Sequence, residues 1–371
     1  MIPVTKPYLP SREKLDKYID GIYEREWLTN NGPLVQELTK RLEEYLGVEN
    51  LLLVSNGTLA LQIAYRALGV STTNRDEKPE AITTPFTFIA TASSLKWEGV
   101  EPVFADIHPD TWCLDPKNIE KAITPQTKAI VPVHVFGNAC DVEAIDEIAK
   151  ENNLKVIYDA AHAFGVNYKG ESLLKYGDAS ILSFHATKLF HTIEGGAIVF
   201  KRKEDLETAK KMINFGITGP DAIEELGINA KMNEFQAAMG LCVMDELKSN
   251  LSARSEVCRR YKEAVMVSLS SEVQLQSYHN ETSNNAAYFP VVLKSERKVL
   301  DVLNGMQRKN TQLRRYFYPS LDTVPEFESS EMCSISNSIS KRVLCLPVYA
   351  SLTEKEQDRV ISELIDLAKS S

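Results

Sequence analysis

Residues 181–200 read ILSFHATKLFHTIEGGAIVF, and this stretch decides the fold. Its apolar, β-rich first and last residues predict two strands, which a turn containing Lys188 connects. A lysine among small and apolar neighbours loses its proton more readily than a surface lysine, as an amine that forms a Schiff base must. The pair Gly195-Gly196 permits a close backbone approach or a left-handed turn. Lys188 is therefore a candidate catalytic amine, although a lysine considered alone is most often a surface residue.

The alternation of strands and helices continues outward from this stretch. Between about residue 35 and residue 200, short apolar runs such as LLLV (51–54) and KVIYD (155–159) alternate with amphipathic stretches such as LALQIAYRAL (59–68). This alternation predicts βα units around a largely parallel sheet.

Beyond residue 200 the pattern indicates a second unit. It predicts helices at 204–215, 233–246, 247–265 and 354–369, and strands at 287–293 and 342–347. We therefore expect a large α/β domain over residues 1–247 and a small α+β domain over residues 248–371. The polar segment 321–331 is predicted to be a surface loop.

Bulk properties exclude several classes of function. A formal net charge of -9 and a sequence pI near 5.4 argue against a nucleic-acid partner. No apolar run approaches the roughly 20 residues of a membrane span, and the first residues lack the apolar core of a secretory signal. The six cysteines form no C-x-x-C pair, and the histidines show no zinc spacing. We expect reduced thiols, no metal site and a cytoplasmic protein.

Two further motifs follow predicted strands. After residues 51–54, Gly57 and Thr58 open an amphipathic helix, whose free N–H groups suit a phosphate. An ordinary N-cap explains the same residues. After residues 155–158, Asp159 lies where α/β sheets place their sites, and it could pair with a protonated ring nitrogen. Alternatively, Asp159 caps a helix that begins at AHAFG (161–165). No dinucleotide-binding or P-loop glycine motif is present.

The order of these three motifs, helix start, aspartate and lysine, resembles that of fold type I pyridoxal-phosphate transferases. More narrowly, the chain resembles the DegT/DnrJ/EryC1/StrS family of nucleotide-sugar aminotransferases. The matching segments are SNGTLAL (55–61), TPFTFIATASS (84–94), DAAHAFG (159–165), SFHATKLFHTIEGGAIV (183–199), NAKMNEFQAAMGL (229–241) and LCLPVYASLT (344–353). The resemblance implies a large domain with a mostly parallel seven-stranded sheet flanked by helices, a smaller C-terminal α+β domain, and pyridoxal phosphate as cofactor.

The resemblance also implies roles for individual residues. It makes Lys188 the Schiff-base lysine and proton shuttle, Asp159 the partner of the pyridine nitrogen, Phe88 the aromatic stacked on the ring, His162 a neighbour of the ring hydroxyl, and Gly57, Thr58 and Ser183 the phosphate ligands. In a homodimer, Asn229 would reach the phosphate of the other subunit, although Gly227-Ile228-Asn229 departs from the usual Gly-Tyr-Asn. Plainer alternatives are a core aromatic for Phe88, a satisfied buried imidazole for His162 and a turn residue for Asn229.

The motif around Lys188 bears on the reaction. The family's dehydratase branch carries histidine at this position, so lysine favours transamination. SFHATK followed by EGG resembles enzymes that aminate C4 of a 4-keto-6-deoxy sugar, whereas C3 enzymes more often read SFYPGK. The resemblance thus implies that an amino group passes from L-glutamate, leaving 2-oxoglutarate, to dTDP-4-keto-6-deoxyglucose. The product, dTDP-4-amino-4,6-dideoxyglucose, would serve the synthesis of surface polysaccharide such as lipopolysaccharide O-antigen. Alternatives are a C3-specific aminotransferase, a pyridoxal-phosphate-dependent dehydratase and a non-catalytic binding protein.

Contacts to the nucleotide are less readable from the sequence. The turn Asn30-Asn31-Gly32 and the stretch Arg314-Arg315-Tyr316 are the places to look. An arginine pair could hold a pyrophosphate through two parallel hydrogen bonds. A solvated surface explains the pair slightly better.

Overall fold

The structure is a computed structural model, and it describes residues 1–72, 78–327 and 332–370. As far as residue 200, the helices and strands are α1 (Arg12–Arg25), α2 (Pro33–Leu46), β1 (Leu51–Val54), α3 (Gly57–Ala67), β2 (Glu80–Thr83), α4 (Ala90–Trp97), β3 (Glu101–Phe104), α5 (Pro116–Ala122), β4 (Thr127–Val131), α6 (Val142–Glu151), β5 (Lys155–Asp159), β6 (Asn167–Tyr168), β7 (Glu171–Ser172), β8 (Ala179–Ser183) and β9 (Gly196–Phe200). After residue 200 they are α7 (Lys203–Met212), β10 (Ile217–Gly219), β11 (Ala222–Ile223), α8 (Glu234–Asp245), α9 (Leu247–Ser268), β12 (Val273–Gln274), β13 (Pro290–Leu293), α10 (Glu296–Arg308), α11 (Ser334–Arg342), β14 (Val343–Cys345) and α12 (Glu354–Lys369).

Seven of these strands form one sheet in the order β1-β9-β8-β5-β4-β2-β3. Six strands run in one direction, and β9 runs antiparallel to its neighbours β1 and β8. Most residues of the sheet are buried, as expected where helices cover both faces of a parallel sheet. The prediction of an α/β fold with a mostly parallel seven-stranded sheet is confirmed.

The sheet brings the predicted site motifs to one edge. Gly57, Asp159 and Lys188 lie at or just beyond the carboxyl ends of β1, β5 and β8, and these ends share an edge because the three strands are parallel. Strand β9 begins at that edge with Gly196, where a Cβ atom would lie 2.7 Å from the backbone of Asn56. The glycine is thus needed for a close backbone approach rather than for a left-handed turn.

The second unit surrounds a three-stranded antiparallel sheet, β12-β13-β14. The helices α9, α10 and α12 contribute to its core, which includes Val257, Val302 and Val360 together with Val291 and Leu344 of the sheet. The α+β character of this part agrees with the prediction. The division of the chain at residues 247 and 248 stays a prediction.

Two details of the second unit differ from the sequence-based expectation. The strand predicted for 287–293 begins only at Pro290, because the Arg254 side chain takes the carbonyl oxygens of Ala286 and Ala287 (3.1 and 2.7 Å). The strand predicted for 342–347 covers only Val343–Cys345.

The segment 321–331 is only partly the surface loop that its polar composition predicts. It contains two short 3₁₀ turns, Leu321–Thr323 and Pro325–Phe327, and buries Leu321 and Phe327 against Ala92. Residues 328–331 of this predicted loop lie outside the described residues. Among residues 1–72, 78–327 and 332–370, no helix has both the length and the apolar character that a membrane span needs.

Candidate active site

A cavity of about 310 Å³ opens at the edge of the sheet where the predicted motifs meet. Seven predicted site residues line it: Gly57, Thr58, Phe88, Asp159, His162, Ser183 and Lys188. A larger cavity of about 510 Å³, lined in part by Asn30 and Asn31, lies elsewhere and contains none of the predicted site residues. We take the smaller cavity as the candidate active site because the groups with perturbed pKa values converge there.

One end of the cavity suits a phosphate. Helix α3 begins at Gly57, and the N-cap is Asn56, whose Oδ1 accepts a hydrogen bond from Leu59 N (2.8 Å). A Cβ atom at Gly57 would lie 3.0 Å from Ser183 Cβ and 3.3 Å from its hydroxyl oxygen. The hydroxyl of Ser183 therefore lies beside the positive end of the helix dipole, together with Thr58. The N-cap and the phosphate site that the sequence offers as alternatives are therefore compatible. Asn56 caps the helix, while Gly57 and Thr58, together with Ser183, form the end of the cavity that suits a phosphate, here called the cradle.

Asp159 lies at the end of β5, at the floor of the cavity. Its carboxylate accepts hydrogen bonds from Thr91 Oγ1 (2.7 Å) and from Ala161 N (3.1 Å). Burial raises the pKa of Asp159, while these two hydrogen bonds and the charge of Lys188 act to lower it. No helix follows Asp159 directly, so the helix-cap alternative is wrong. A buried carboxylate of this kind is suited to a cationic partner such as a protonated ring nitrogen.

Lys188 lies in the turn between β8 and β9 and points into the cavity. Its Nζ is 3.3 Å from the hydroxyl of Tyr288. Burial lowers the pKa of Lys188 from 10.5 to about 8, with Arg314 acting in the same direction and Asp159 acting against it. At pH 7 about one molecule in ten then carries a neutral, nucleophilic amine, against fewer than about one in a thousand for an ordinary lysine. The alternative of a surface lysine is wrong.

Aromatic side chains form the remaining walls. The His162 ring stacks on Phe136 and Phe317, with centroids 5.9 and 5.7 Å away, and contacts the Tyr288 ring at 4.4 Å. Phe136 N donates a hydrogen bond to His162 Nδ1 (3.2 Å), and burial lowers the imidazole pKa well below its usual value. The ring is therefore neutral and carries its proton on Nε2. His162 is thus both a satisfied buried imidazole and a cavity residue.

Two other predicted residues differ in their placement. Phe88 is 51% exposed and lines the cavity, so the alternative of a core aromatic is wrong. Asn229 is exposed and forms an isolated antiparallel β-bridge with Asn214. It does not line the cavity of its own chain.

The second unit contributes four cavity residues that the sequence does not predict as part of the cofactor site: Tyr288, Arg314, Tyr316 and Phe317. The sequence indicates Arg314 and Tyr316 only as places to look for nucleotide contacts. No local pattern marks the four, because they reach the sheet edge through contacts between residues far apart in the sequence, such as Lys188 with Tyr288, which are 100 positions apart.

This donor set fits pyridoxal phosphate. The cradle around Gly57 matches its phosphate, the buried carboxylate of Asp159 matches its ring nitrogen, and the amine of Lys188 matches its aldehyde. Together with the mostly parallel seven-stranded sheet, the site defines a fold type I pyridoxal-phosphate enzyme.

The chain belongs to the DegT/DnrJ/EryC1/StrS aminotransferase family, whose model matches residues 11–365. A Shigella dysenteriae protein named dTDP-4-amino-4,6-dideoxy-D-glucose transaminase is 42% identical over 372 residues, covering 98% of each chain. The crystal structure of DesI in the presence of its TDP-sugar product superposes with a TM-score of 0.91 at 31% identity, covering 99% of this chain and 93% of that one.

The cofactor follows from the same comparisons. NtdA from Bacillus subtilis, solved with bound cofactor PMP, is 28% identical with a TM-score of 0.87, covering 99% of this chain and 86% of that chain. The protein is an enzyme, a pyridoxal-phosphate-dependent aminotransferase.

Proposed function

We propose that this enzyme transfers the amino group of L-glutamate to C4 of dTDP-4-keto-6-deoxyglucose, giving dTDP-4-amino-4,6-dideoxyglucose and 2-oxoglutarate. The observation that carries the proposal is the partly neutral amine of Lys188, placed in one cavity with the buried carboxylate of Asp159. The printed name of the 42% identical relative supports the choice of sugar.

Each group of residues has a distinct task in this reaction. When bound, pyridoxal phosphate supplies an electron-withdrawing ring and the carbon that carries the amino group. Gly57, Thr58 and Ser183 hold the phosphate, and Asp159 keeps a proton on the ring nitrogen by placing a negative charge beside it. Lys188 Nζ accepts a proton from the donor carbon and returns it, as a general base and then a general acid.

The lysine motif separates the proposal from its rivals. Histidine would be expected at position 188 in a dehydratase of this family, and the chain has lysine. The Ser-Phe-His-Ala-Thr-Lys segment, residues 183–188, resembles C4 enzymes rather than C3 enzymes. A non-catalytic binding protein would not require a lysine whose pKa is lowered to about 8.

We also propose that the working unit is a homodimer. A patch of exposed apolar side chains, here called the hairpin patch, consists of Trp27, Leu28, Ile193, Phe215, Ile217, Ile223, Leu226, Ile228 and Phe235. Several of its members are neighbours, since Ile217 pairs with Ile223, Phe215 N donates to Ile228 O, and Glu234 N, next to Phe235, donates to Leu28 O. Such a patch on one protein surface marks an interaction site. Asn229 lies at the end of the patch, where it is available to the cavity of a second copy.

We place the reaction in the cytoplasm, as a step toward surface polysaccharide such as lipopolysaccharide O-antigen. None of the six cysteines, all of them in the described part of the chain, forms a disulfide, which agrees with a reducing compartment.

The direct test incubates the purified holoenzyme with L-glutamate and dTDP-4-keto-6-deoxyglucose and identifies the product by NMR. We expect an amine at C4 and one 2-oxoglutarate released per aminated sugar. An untouched 4-keto sugar with amination of a 3-keto isomer would overturn the regiochemistry. Conversion of the sugar without release of 2-oxoglutarate would indicate a dehydratase or lyase. The matched control is Lys188→Met, which we expect to form no product.

Mixing of two variants tests the dimer. Lys188→Met lacks the amine, and Asn229→Ala lacks the side chain proposed to cross the interface, so each homodimer contains two defective sites. A mixed dimer contains one native site, and we expect activity to rise on mixing. Light scattering should give a dimer mass. A monomer mass, or no gain on mixing, contradicts the proposal.

A further inference from the structure

We propose that Arg314 binds the α-carboxylate of the amino donor. The inference rests on the proposed amino transfer but not on which sugar receives the amine. It identifies a binding residue for the amino donor, one of the two substrates. It also assigns different roles to Arg314 and Arg315, which are adjacent in the sequence.

The structure places the two arginines in different environments. Arg315 donates to Glu296 (2.8 Å) and to the carbonyl oxygen of Lys341 (3.0 Å), and its guanidinium stacks on the Tyr318 ring at 3.4 Å. Arg314 lines the candidate active site. Among the described residues, no carboxylate lies within ion-pair distance of its guanidinium. The cation of Arg315 is therefore occupied, and that of Arg314 is available to a ligand.

The guanidinium of Arg314 is also held in place. It lies 4.2 Å from the centroid of the Tyr316 ring, and that ring packs edge-on against Tyr288 and Phe317. A planar guanidinium that stacks on an aromatic ring keeps its N–H groups oriented, so it can bind a carboxylate through two parallel hydrogen bonds. No other described arginine lines this cavity.

Geometry places this charge near the reacting amine. Arg314 stacks on the Tyr316 ring, whose centroid is 5.7 Å from that of the Tyr288 ring, and the Tyr288 hydroxyl is 3.3 Å from Lys188 Nζ. In agreement, the charge of Arg314 adds to the lowering of the Lys188 pKa that burial causes. In an α-amino acid the carboxylate is attached to the same carbon as the reacting nitrogen. In a nucleotide sugar that reacts at C4, the diphosphate is attached across the sugar ring at C1. A cation this close to Lys188 therefore suits the donor carboxylate better than the diphosphate.

The test separates the two half-reactions of the holoenzyme. The cofactor spectrum follows the reaction with L-glutamate, and the amino form of the enzyme is then mixed with the 4-keto sugar. For Arg314→Gln we expect the dissociation constant for glutamate to rise roughly ten- to hundredfold, the usual loss of a hydrogen bond between charged groups. We expect a much smaller change in the kcat/KM of the sugar half-reaction, where Arg314 acts only through the pKa of Lys188. The dissociation constant of Arg314→Lys for glutamate should lie between those of wild type and Arg314→Gln. Lysine keeps the positive charge but cannot donate two parallel hydrogen bonds to one carboxylate.

A second donor sharpens the assignment. 4-Aminobutyrate has the amine and the distal carboxylate of glutamate but no α-carboxylate, so the wild-type preference for glutamate over it should largely disappear in Arg314→Gln. Arg315→Lys is the matched control, and we expect it to keep both the preference and the glutamate affinity. Thermal unfolding and the cofactor spectrum confirm that each variant is folded and loaded.

Three results with the variants would overturn the inference. One is a loss confined to the sugar half-reaction, which would indicate recognition of the diphosphate. Another is an unchanged preference for glutamate in Arg314→Gln, and the third is an equal loss in Arg315→Lys. A wild-type enzyme that does not react with glutamate overturns both the proposed donor and this inference. If wild type reacts with glutamate but leaves the 4-keto sugar unchanged, the proposed function fails while the role of Arg314 stands.

Discussion

Replacing Lys188 by methionine should stabilise the cofactor-free protein near neutral pH. Burial lowers the lysine pKa from 10.5 to about 8, so the folded state holds an unfavourable ammonium whenever the pH is below 8. The shift of about 2.5 units corresponds to roughly 3 kcal/mol at about 1.4 kcal/mol per unit. Methionine has a similar length and no charge. We therefore expect a gain of about 3 kcal/mol in the free energy of unfolding at low and neutral pH.

The sign of the pH dependence follows from proton binding. Between pH 8 and 10.5 the unfolded chain keeps the lysine proton and the folded protein has lost it, so wild-type stability rises with pH. Below pH 8 both states are protonated, and the penalty is complete. The advantage of Lys188→Met should therefore shrink by about 2 kcal/mol between about pH 7.5 and 9.5.

Urea unfolding of the two cofactor-free proteins at both pH values measures this difference, because the titration of all other groups cancels between them. The matched control is Lys117→Met, which removes an exposed lysine and should leave stability nearly unchanged at both pH values. A Lys188→Met protein that is less stable than wild type, or an advantage independent of pH, would refute the reasoning.

Three further predictions concern the cavity. Asp159→Asn should bind pyridoxal phosphate but lose roughly 10²–10³-fold in kcat, because no negative charge then holds the proton on the ring nitrogen. Steady-state kinetics measure the loss, and a near-normal kcat would contradict the proposed role of Asp159 in keeping that nitrogen protonated. Gly57→Ala places a Cβ atom 3.0 Å from Ser183 Cβ, so a spectroscopic titration should show cofactor affinity reduced by about 1–3 kcal/mol, and unchanged affinity would argue against the cradle. Tyr288→Phe removes the hydroxyl 3.3 Å from Lys188 Nζ, and the pH profile of the glutamate half-reaction should shift with a rate loss of roughly two- to tenfold, whereas an unaltered profile would show that the contact is inert.

The sequence predicted the parts of the site that lie at strand ends. Gly57, Asp159 and Lys188 each follow a short buried strand, and parallel strands bring their carboxyl ends to one edge whatever the rest of the chain does. Local patterns therefore suffice to place these residues near one another.

Contacts over long sequence distances could not be predicted in this way. Tyr288 reaches Lys188 only because the second unit packs against the edge of the sheet. Thr91 donates to Asp159 across 68 positions, and neither residue marks the other in the sequence. The strand expected from residue 287 begins only at Pro290 for a similar reason, since Arg254, 33 positions earlier in the chain, takes the carbonyl oxygen of Ala287.

The identity of the reactive lysine is the central claim, and one measurement tests it directly. Borohydride reduction of the holoenzyme fixes pyridoxal phosphate to the amine that it has joined, and peptide mass spectrometry then locates the label. The label should appear on Lys188 alone and should be absent from the Lys188→Met protein treated in parallel. A label on another lysine such as Lys231, or no label on a protein that binds the cofactor, would contradict the account.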